Sequence, residues 1–249
     1  MPHSLSSRTS WPANFPDVVI HTTVPVRDAD PGYTAAKSGD ADAALQLARR
    51  LISEISVQQL RELVASPDAL ILPVVADELA GYNAIPDAMS QVLATKLGLQ
   101  AVAGRIVQTN KVGHTRARTF QRIVTPAAFS GPVLQRGQYV LVDDHVGLGG
   151  TLANLKGYLE ERGGTVVAMT TLTESRNGRQ IALRAATLNM LVAKHGEALE
   201  TFWQSQFNHG LDALTEIEAQ NLGRQESVGT IQDILAQAAI EARGRGLIP

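Results

Sequence analysis

Residues 138–173, QYVLVDDHVGLGGTLANLKGYLEERGGTVVAMTTLT, constrain the fold of this chain more than any other stretch. Residues 139–142 (YVLV) form a short apolar run rich in β-branched side chains, the composition of a buried strand. Two adjacent carboxylates, Asp143 and Asp144, end it, and a glycine-rich turn over residues 145–151 follows. Residues 152–162 then read as a helix, with Leu152, Leu155 and Leu159 on one face. Gly163 and Gly164 stop that helix, and residues 165–173 read as a second strand. A strand–turn–helix–strand crossover of this kind builds parallel sheets.

The turn is where chemistry would sit. Gly147, Gly149 and Gly150 let the backbone approach a ligand closely. Their amides, with those of Thr151 and Leu152, would face out of a helix N-terminus, where the macrodipole favours an anion such as phosphate. Asp143 and Asp144 would repel that phosphate. They suit hydrogen-bond donors such as a vicinal diol, or a metal ion carried by the ligand. Phosphate beside a diol describes a ribose 5-phosphate. A dinucleotide fingerprint fails here, because its third glycine would fall on Leu152, and a Walker A loop lacks its Gly-Lys-Ser/Thr. The plain alternative is a βα turn whose acids cap a helix; capping needs one acid, and leaves three glycines unexplained.

The run VLVDDHVGLGGT resembles the ribose-phosphate signature of type I phosphoribosyltransferases. The resemblance implies an α/β doubly wound parallel sheet with a helical hood. It also implies binding of phosphoribosyl pyrophosphate with Mg2+, and transfer of the ribose phosphate to an acceptor. Asp143 and Asp144 would hold the ribose hydroxyls and meet the metal through ligand or water, while His145, Val146, Gly147, Leu148, Gly149, Gly150 and Thr151 would form the 5-phosphate cradle. The sequence departs from the family at His145, usually aliphatic, and at Gly147 and Leu148, usually small or hydroxylated, which leaves the grip to backbone amides. The family often forms dimers, so the resemblance allows a homodimer.

Composition excludes several other classes. With 249 residues the chain is long enough for one substantial domain with extra elements, and 44% apolar residues is the fraction of a soluble globular protein. A net charge of −2, from 22 basic and 24 acidic residues mixed along the chain, gives no electrostatic case for nucleic acid or an acidic membrane. The opening MPHSLSSRTSWPANFP lacks the apolar core of a signal peptide, and no run reaches membrane-span length, so the expected location is cytoplasmic. Cysteine is absent, which removes disulfides and thiolate chemistry.

Around the central unit the chain divides into four parts. Residues 1–17 read as a flexible arm and 18–65 as an N-terminal hood segment, with a strand over 18–26, a loop over 27–38, a helix from Asp40 or Asp42 to about Glu54, and a helix over 57–65 capped by Ser56. The core, 66–176, adds a strand over 70–75, a loop over 76–86, a helix over 87–97 ending at Gly98, and a strand over 101–108. By position, the loop containing Ala76, Asp77 and Glu78 resembles the family's pyrophosphate loop, with an acid reaching the metal shell; the alternative is that Asp77 and Glu78 are solvated loop charges. Residues 109–122 are the most basic segment. Relatives carry a closing loop there, so Lys111, Arg116 and Arg118 are the expected pyrophosphate contacts, with His114 as a proton donor or acceptor. Residues 177–249 read as helices, over 180–195 and 199–207, then one capped by Thr215 with Glu218 and one over 231–243 capped by Thr230. Phe202, Trp203 and Phe207 form either a small helical core or a platform for a flat base. Two functional classes stand: a phosphoribosyltransferase acting on a nucleobase or related nitrogen heterocycle, and a non-catalytic sensor of the ribose donor or a nucleotide. Hydrolysis of a ribosyl bond is a third.

Overall fold

The computed structural model describes residues 8–78, 81–102, 104–110 and 119–248. In chain order, β1 (Val19–Ile20) leads to α1 (Val24–Asp28), α2 (Tyr33–Lys37), α3 (Ala41–Leu51) and α4 (Glu54–Leu63). Then come β2 (Leu70–Pro73), the small strands β3 (Asp77–Glu78) and β4 (Gly81–Tyr82), α5 (Ile85–Leu97), β5 (Gln100–Ala101), β6 (Val107–Gln108), α6 (Thr119–Val124) and β7 (Phe129–Ser130). The second half holds β8 (Gln138–Val146), α7 (Gly150–Glu160), β9 (Thr165–Glu174), α8 (Ala185–Phe207), α9 (Glu216–Gly223) and α10 (Val228–Gly244).

Five strands form one sheet in the order β1-β9-β8-β2-β5, every pair parallel. The chain leaves β2 toward β5 on one side and returns to β8 on the other. That reversal opens a crevice beyond the carboxyl ends of β2 and β8, as it does in doubly wound sheets generally. Alternation along β8 divides the core. Val140 and Val142 pack with Leu47, Leu60 and Leu93 of α3, α4 and α5. Tyr139 and Leu141 face the other way and pack with Leu152, Leu155 and Leu159 of α7, the leucine stripe legible in the sequence. A third cluster, with Leu191, Leu199, Trp203, Leu222 and Ile231, joins α8, α9 and α10. The α/β doubly wound architecture is therefore the one expected.

Several boundaries differ from expectation, each for a local reason. The strand expected over 18–26 is only Val19–Ile20, because Pro25 sits in the first turn of α1 and cannot donate to a ladder. Residues 27–38, expected as a loop, contain α2. The first hood helix ends at Leu51; the second starts at Glu54 after Ser53, and Ser56 instead donates its hydroxyl to Ile20 O at 2.7 Å. The loop over 76–86 holds a short hairpin, β3 with β4, and α5 begins two residues early at Ile85. The strand expected over 101–108 breaks into β5, in the main sheet, and β6, which pairs antiparallel with β7. The helix expected from 180 starts at Ala185, and the last helix starts at Val228 after its Ser227 cap. The Thr215–Glu218 capping box is present as read.

The arm is not loose from Arg8 onward. Arg8 pairs with Glu218 at 2.5 Å and donates to Asn154 Oδ1 at 2.7 Å. Trp11 Nε1 donates to Leu214 O, and the buried Lys156 ammonium donates to Thr9 Oγ1 and Ser10 O. Trp203 and Phe207 are buried in the third cluster, the helical-core alternative. Among the described residues no helix is long and apolar enough to cross a membrane.

One buried histidine ties the hood to the sheet. Thr170 Oγ1 spends its single proton on Val19 O at 2.8 Å, so its 3.0 Å contact with His21 Nε2 has the imidazole donating. Nδ1 then accepts from Ser53 N at 3.3 Å. This is a neutral ring, and burial lowers its pKa to about 4. The unfolded chain therefore takes up a proton that the folded chain refuses between about pH 6.5 and about pH 4, and stability falls as pH falls through that window. Urea denaturation should show a loss of roughly 2–3 kcal/mol from this group between pH 7 and pH 4, and His21→Gln should remove that part of the slope. Parallel pH profiles for the two proteins would refute this.

Candidate functional site

The cleft at the carboxyl ends of β2 and β8 has a volume of about 450 Å³. Its floor is the end of β8, which runs to Val146 and so carries the twin acids within the strand, in register with β9: Asp143 opposite Thr171, His145 opposite Thr173 and Val146 opposite Glu174. The expected strand end at Val142 is thus four residues short. Extra ladder pairing holds the acids rigidly where a loop would not.

Their charges are handled unequally. Asp144, on the hood face, receives Lys37 Nζ at 2.8 Å. Burial works to raise its pKa, but the charge and hydrogen bond of Lys37 win and hold it below the usual carboxylate value. Asp143 accepts the amide of Asp144 at 2.8 Å, and burial together with the neighbouring Asp144 charge pushes its pKa well up. One acid is kept ionised and the other is driven toward its neutral form, as expected when like charges share a site.

The glycine turn lies directly beyond. Gly149 caps α7 with φ +80, a left-handed conformation, and a Cβ there would come within 2.8 Å of Ile181 Cγ1. Thr215 Oγ1 donates to Leu148 O at 2.6 Å, so the capping residue of α9 also braces the turn. A Cβ on Gly147 would stand 3.3 Å from an Arg122 guanidinium nitrogen and 3.7 Å from Ser175 Oγ. The first turn of α7 therefore opens toward a cleft that an arginine also lines, an arrangement that favours a phosphate group. Burial lowers the pKa of Arg122 from its high ordinary value.

His145 projects into a short chain of polar contacts. Its Nδ1 lies 2.8 Å from Thr173 Oγ1 and its Nε2 3.0 Å from Ser175 Oγ, while Arg27 donates to Thr173 Oγ1 at 2.9 Å. Burial lowers the His145 pKa, against an opposing pull from Asp144. Arg27 also lies over the Tyr33 ring, 4.5 Å from its centroid, on the hood side of the cleft.

Of the residues expected from the sequence, Ala76, Asp143, Asp144, His145, Val146, Gly147, Leu148, Gly149, Gly150 and Thr151 all line this one cleft. Asp77 and Glu78 are placed in the β3 strand. Lys111, His114, Arg116 and Arg118 lie outside the described residues. Arg27, Tyr33, Lys37, Asn83 and Ser175 line the cleft without having been singled out, and Arg122 had been noted only as part of the basic run. Its lack of acidic neighbours in sequence was the one signal pointing to it.

Among the described residues no group of three or more His, Asp or Glu side chains is arranged to hold a metal ion. Two adjacent carboxylates, one of them paired with Lys37, would fit a divalent cation whose remaining oxygens come from a phosphorylated ligand.

No family model matches the chain. It is 40% identical over 243 residues to protein TraN of Escherichia coli, which covers 98% of this chain and 54% of TraN. It is 38% identical over 152 residues to an uncharacterized protein of Haemophilus influenzae, covering 61% of this chain and 34% of that protein. The chain thus spans about half, or less, of the length of these relatives. Among solved structures, an adenine phosphoribosyltransferase from Thermoanaerobacter pseudethanolicus matches at 19% identity with a TM-score of 0.33, over 57% of this chain and 74% of that one.

Lys37→Met tests the charge arrangement. Without the ammonium, the Asp144 pKa should rise, visible in a carboxyl-carbon NMR titration. Because the native value is depressed, the pair's contribution is present above the ordinary carboxylate pKa and lost as pH falls through the folded value. At pH 7 the variant should lose about 1–3 kcal/mol, between the figures for exposed and fully buried pairs. An Asp144 titration unchanged by the substitution would contradict the assignment.

Proposed function

We propose that this chain is a phosphoribosyltransferase that moves ribose 5-phosphate from phosphoribosyl pyrophosphate to a nucleobase or related nitrogen heterocycle. The observation that carries the proposal is the meeting, in one cleft, of the α7 N-terminus at Gly149–Gly150 with the twin acids Asp143 and Asp144. The amides of the turn and Arg122 hold the 5-phosphate. Asp143 and Asp144 receive the two ribose hydroxyls. Ala76, beyond the end of the neighbouring strand, faces the pyrophosphate, and Lys111, Arg116 and Arg118 supply its positive contacts. Tyr33 and Arg27, on the hood side, border the space left for the acceptor.

Transfer breaks the bond between ribose C1 and the pyrophosphate oxygen, which leaves with the electron pair. The acceptor nitrogen supplies the pair for the new bond, and its proton passes to solvent. The protein needs no covalent nucleophile; it positions reactants and stabilises the developing charges. Bound Mg2+ would supply charge neutralisation on the pyrophosphate, held through ligand oxygens and water by the acids.

A second reading has one specific observation in its favour. Lys37 already neutralises Asp144, so a ligand hydroxyl must share or displace an ion pair, which suits a protein that senses the ribose donor without turning it over.

The deciding experiment incubates the protein with phosphoribosyl pyrophosphate, Mg2+ and a panel of nucleobases, and follows pyrophosphate release. Base-dependent release is expected, and Asp144→Asn should weaken donor binding by about 1–3 kcal/mol, as for other charge-assisted hydrogen bonds. Lys111→Ala and Arg116→Ala should lower turnover much more than affinity. Donor binding without release for any base selects the sensor; absence of donor binding removes both readings.

A further inference from the structure

The turn has a glycine at 147 and a leucine at 148, so it offers a phosphate no side-chain hydroxyl at either position. A hydroxyl arrives from elsewhere in the fold. Ser175 follows the end of β9, its amide bonded to Val146 O at 2.8 Å and its carbonyl accepting Gly178 N at 2.8 Å. A Cβ on Gly178 would lie 2.5 Å from Val146 O, so this return turn admits only glycine and is fixed tightly against the strand end. The Ser175 hydroxyl oxygen would stand 3.7 Å from a Cβ built on Gly147, and an Arg122 guanidinium nitrogen 3.3 Å from that same point.

One tautomer of His145 leaves that hydroxyl free to donate. Arg27 can only donate, so Thr173 Oγ1 accepts from it at 2.9 Å. The one Thr173 hydroxyl proton has two acceptors in reach, His145 Nδ1 at 2.8 Å and Asp144 O at 3.4 Å. The His145 tautomer decides between them: with Nδ1–H the Thr173 proton goes to Asp144 O, and with Nε2–H it goes to Nδ1. In the Nε2–H tautomer Nδ1 accepts, and Nε2–H donates to Ser175 Oγ at 3.0 Å. With its oxygen occupied by His145, Ser175 has its own proton left to donate.

We infer that Ser175 is a phosphate-binding residue of this site, its hydroxyl aimed over Gly147 by the relay Arg27–Thr173–His145. The ligand group is the phosphate monoester of a sugar phosphate, and the inference rests on the phosphoribosyl reading above. Ser175 touches the ligand; Arg27, Thr173 and His145 are positioning residues. His145 thereby has a role that an aliphatic side chain could not fill, since both of its ring nitrogens are used.

Calorimetric titration with ribose 5-phosphate, and with unphosphorylated ribose as reference, tests this on the whole chain. Wild type should bind the phosphorylated sugar, Ser175→Ala should bind it roughly 10-fold more weakly, and Ser175→Thr, which keeps the hydroxyl, should recover most of the loss. Thr173→Val leaves Ser175 in place, cuts the relay, and should weaken binding several-fold. Long-range 1H–15N spectra should show the Nε2–H tautomer of His145 in wild type, with that preference lost in Thr173→Val. If wild type does not bind ribose 5-phosphate, the functional reading fails and takes this one with it. If wild type binds and Ser175→Ala binds equally well, or His145 carries its proton on Nδ1, this inference alone is overturned.

Discussion

Two carboxylates, adjacent in sequence and both enclosed at the end of the central strand, set the terms for everything around them. Like charges so placed raise one another's pKa, and withdrawal from water raises both. Among the described residues the fold answers with the ammonium of Lys37, which holds Asp144 ionised, and the burden of the pair falls on Asp143. That ammonium comes from α2, in the hood segment, so the hood is bound to the sheet by the same interaction that conditions the site.

The glycine turn is supported in a similar way from distant parts of the chain. Ile181 and Thr215 press against Gly149, and the Thr215 hydroxyl bonds to Leu148 O. Glu218, partner of Thr215 in the capping box, is buried and paired with Arg8, which also reaches Asn154 on α7. Burial tends to raise the Glu218 pKa, but Arg8 holds it low. A buried carboxylate of this kind is costly unless matched, so the N-terminal segment and the C-terminal helices are joined behind the turn by one ion pair. The turn is rigid because three separate stretches of chain meet there, and rigid amides are what an anion site requires.

The organisation of the cleft follows the same logic. Its floor is sheet, which is stiff and which carries the acids in ladder register. Its walls are contributed by α1, α2 and α6, short elements that bring one or two charged or aromatic groups each.

Much of this was legible from local chemistry. An apolar run, two acids, a glycine turn and a leucine-striped helix specify a strand–turn–helix unit because each signal acts within a few residues: β-branched packing, positive φ at Gly149, and the helical period of Leu152, Leu155 and Leu159. The Thr215–Glu218 cap was visible for the same reason. Lys37 was not, because nothing near it in sequence marks it; it meets Asp144 across 107 positions only after the hood folds over the sheet. Ser175 and His145 likewise gain meaning from the register of β8 with β9, which sets His145 opposite Thr173. Local backbone preference and periodicity wrote the floor of the site into the sequence. Which charges and hydroxyls converge upon it was decided by tertiary packing, since burial and pairing depend on distances that neighbouring residues do not encode.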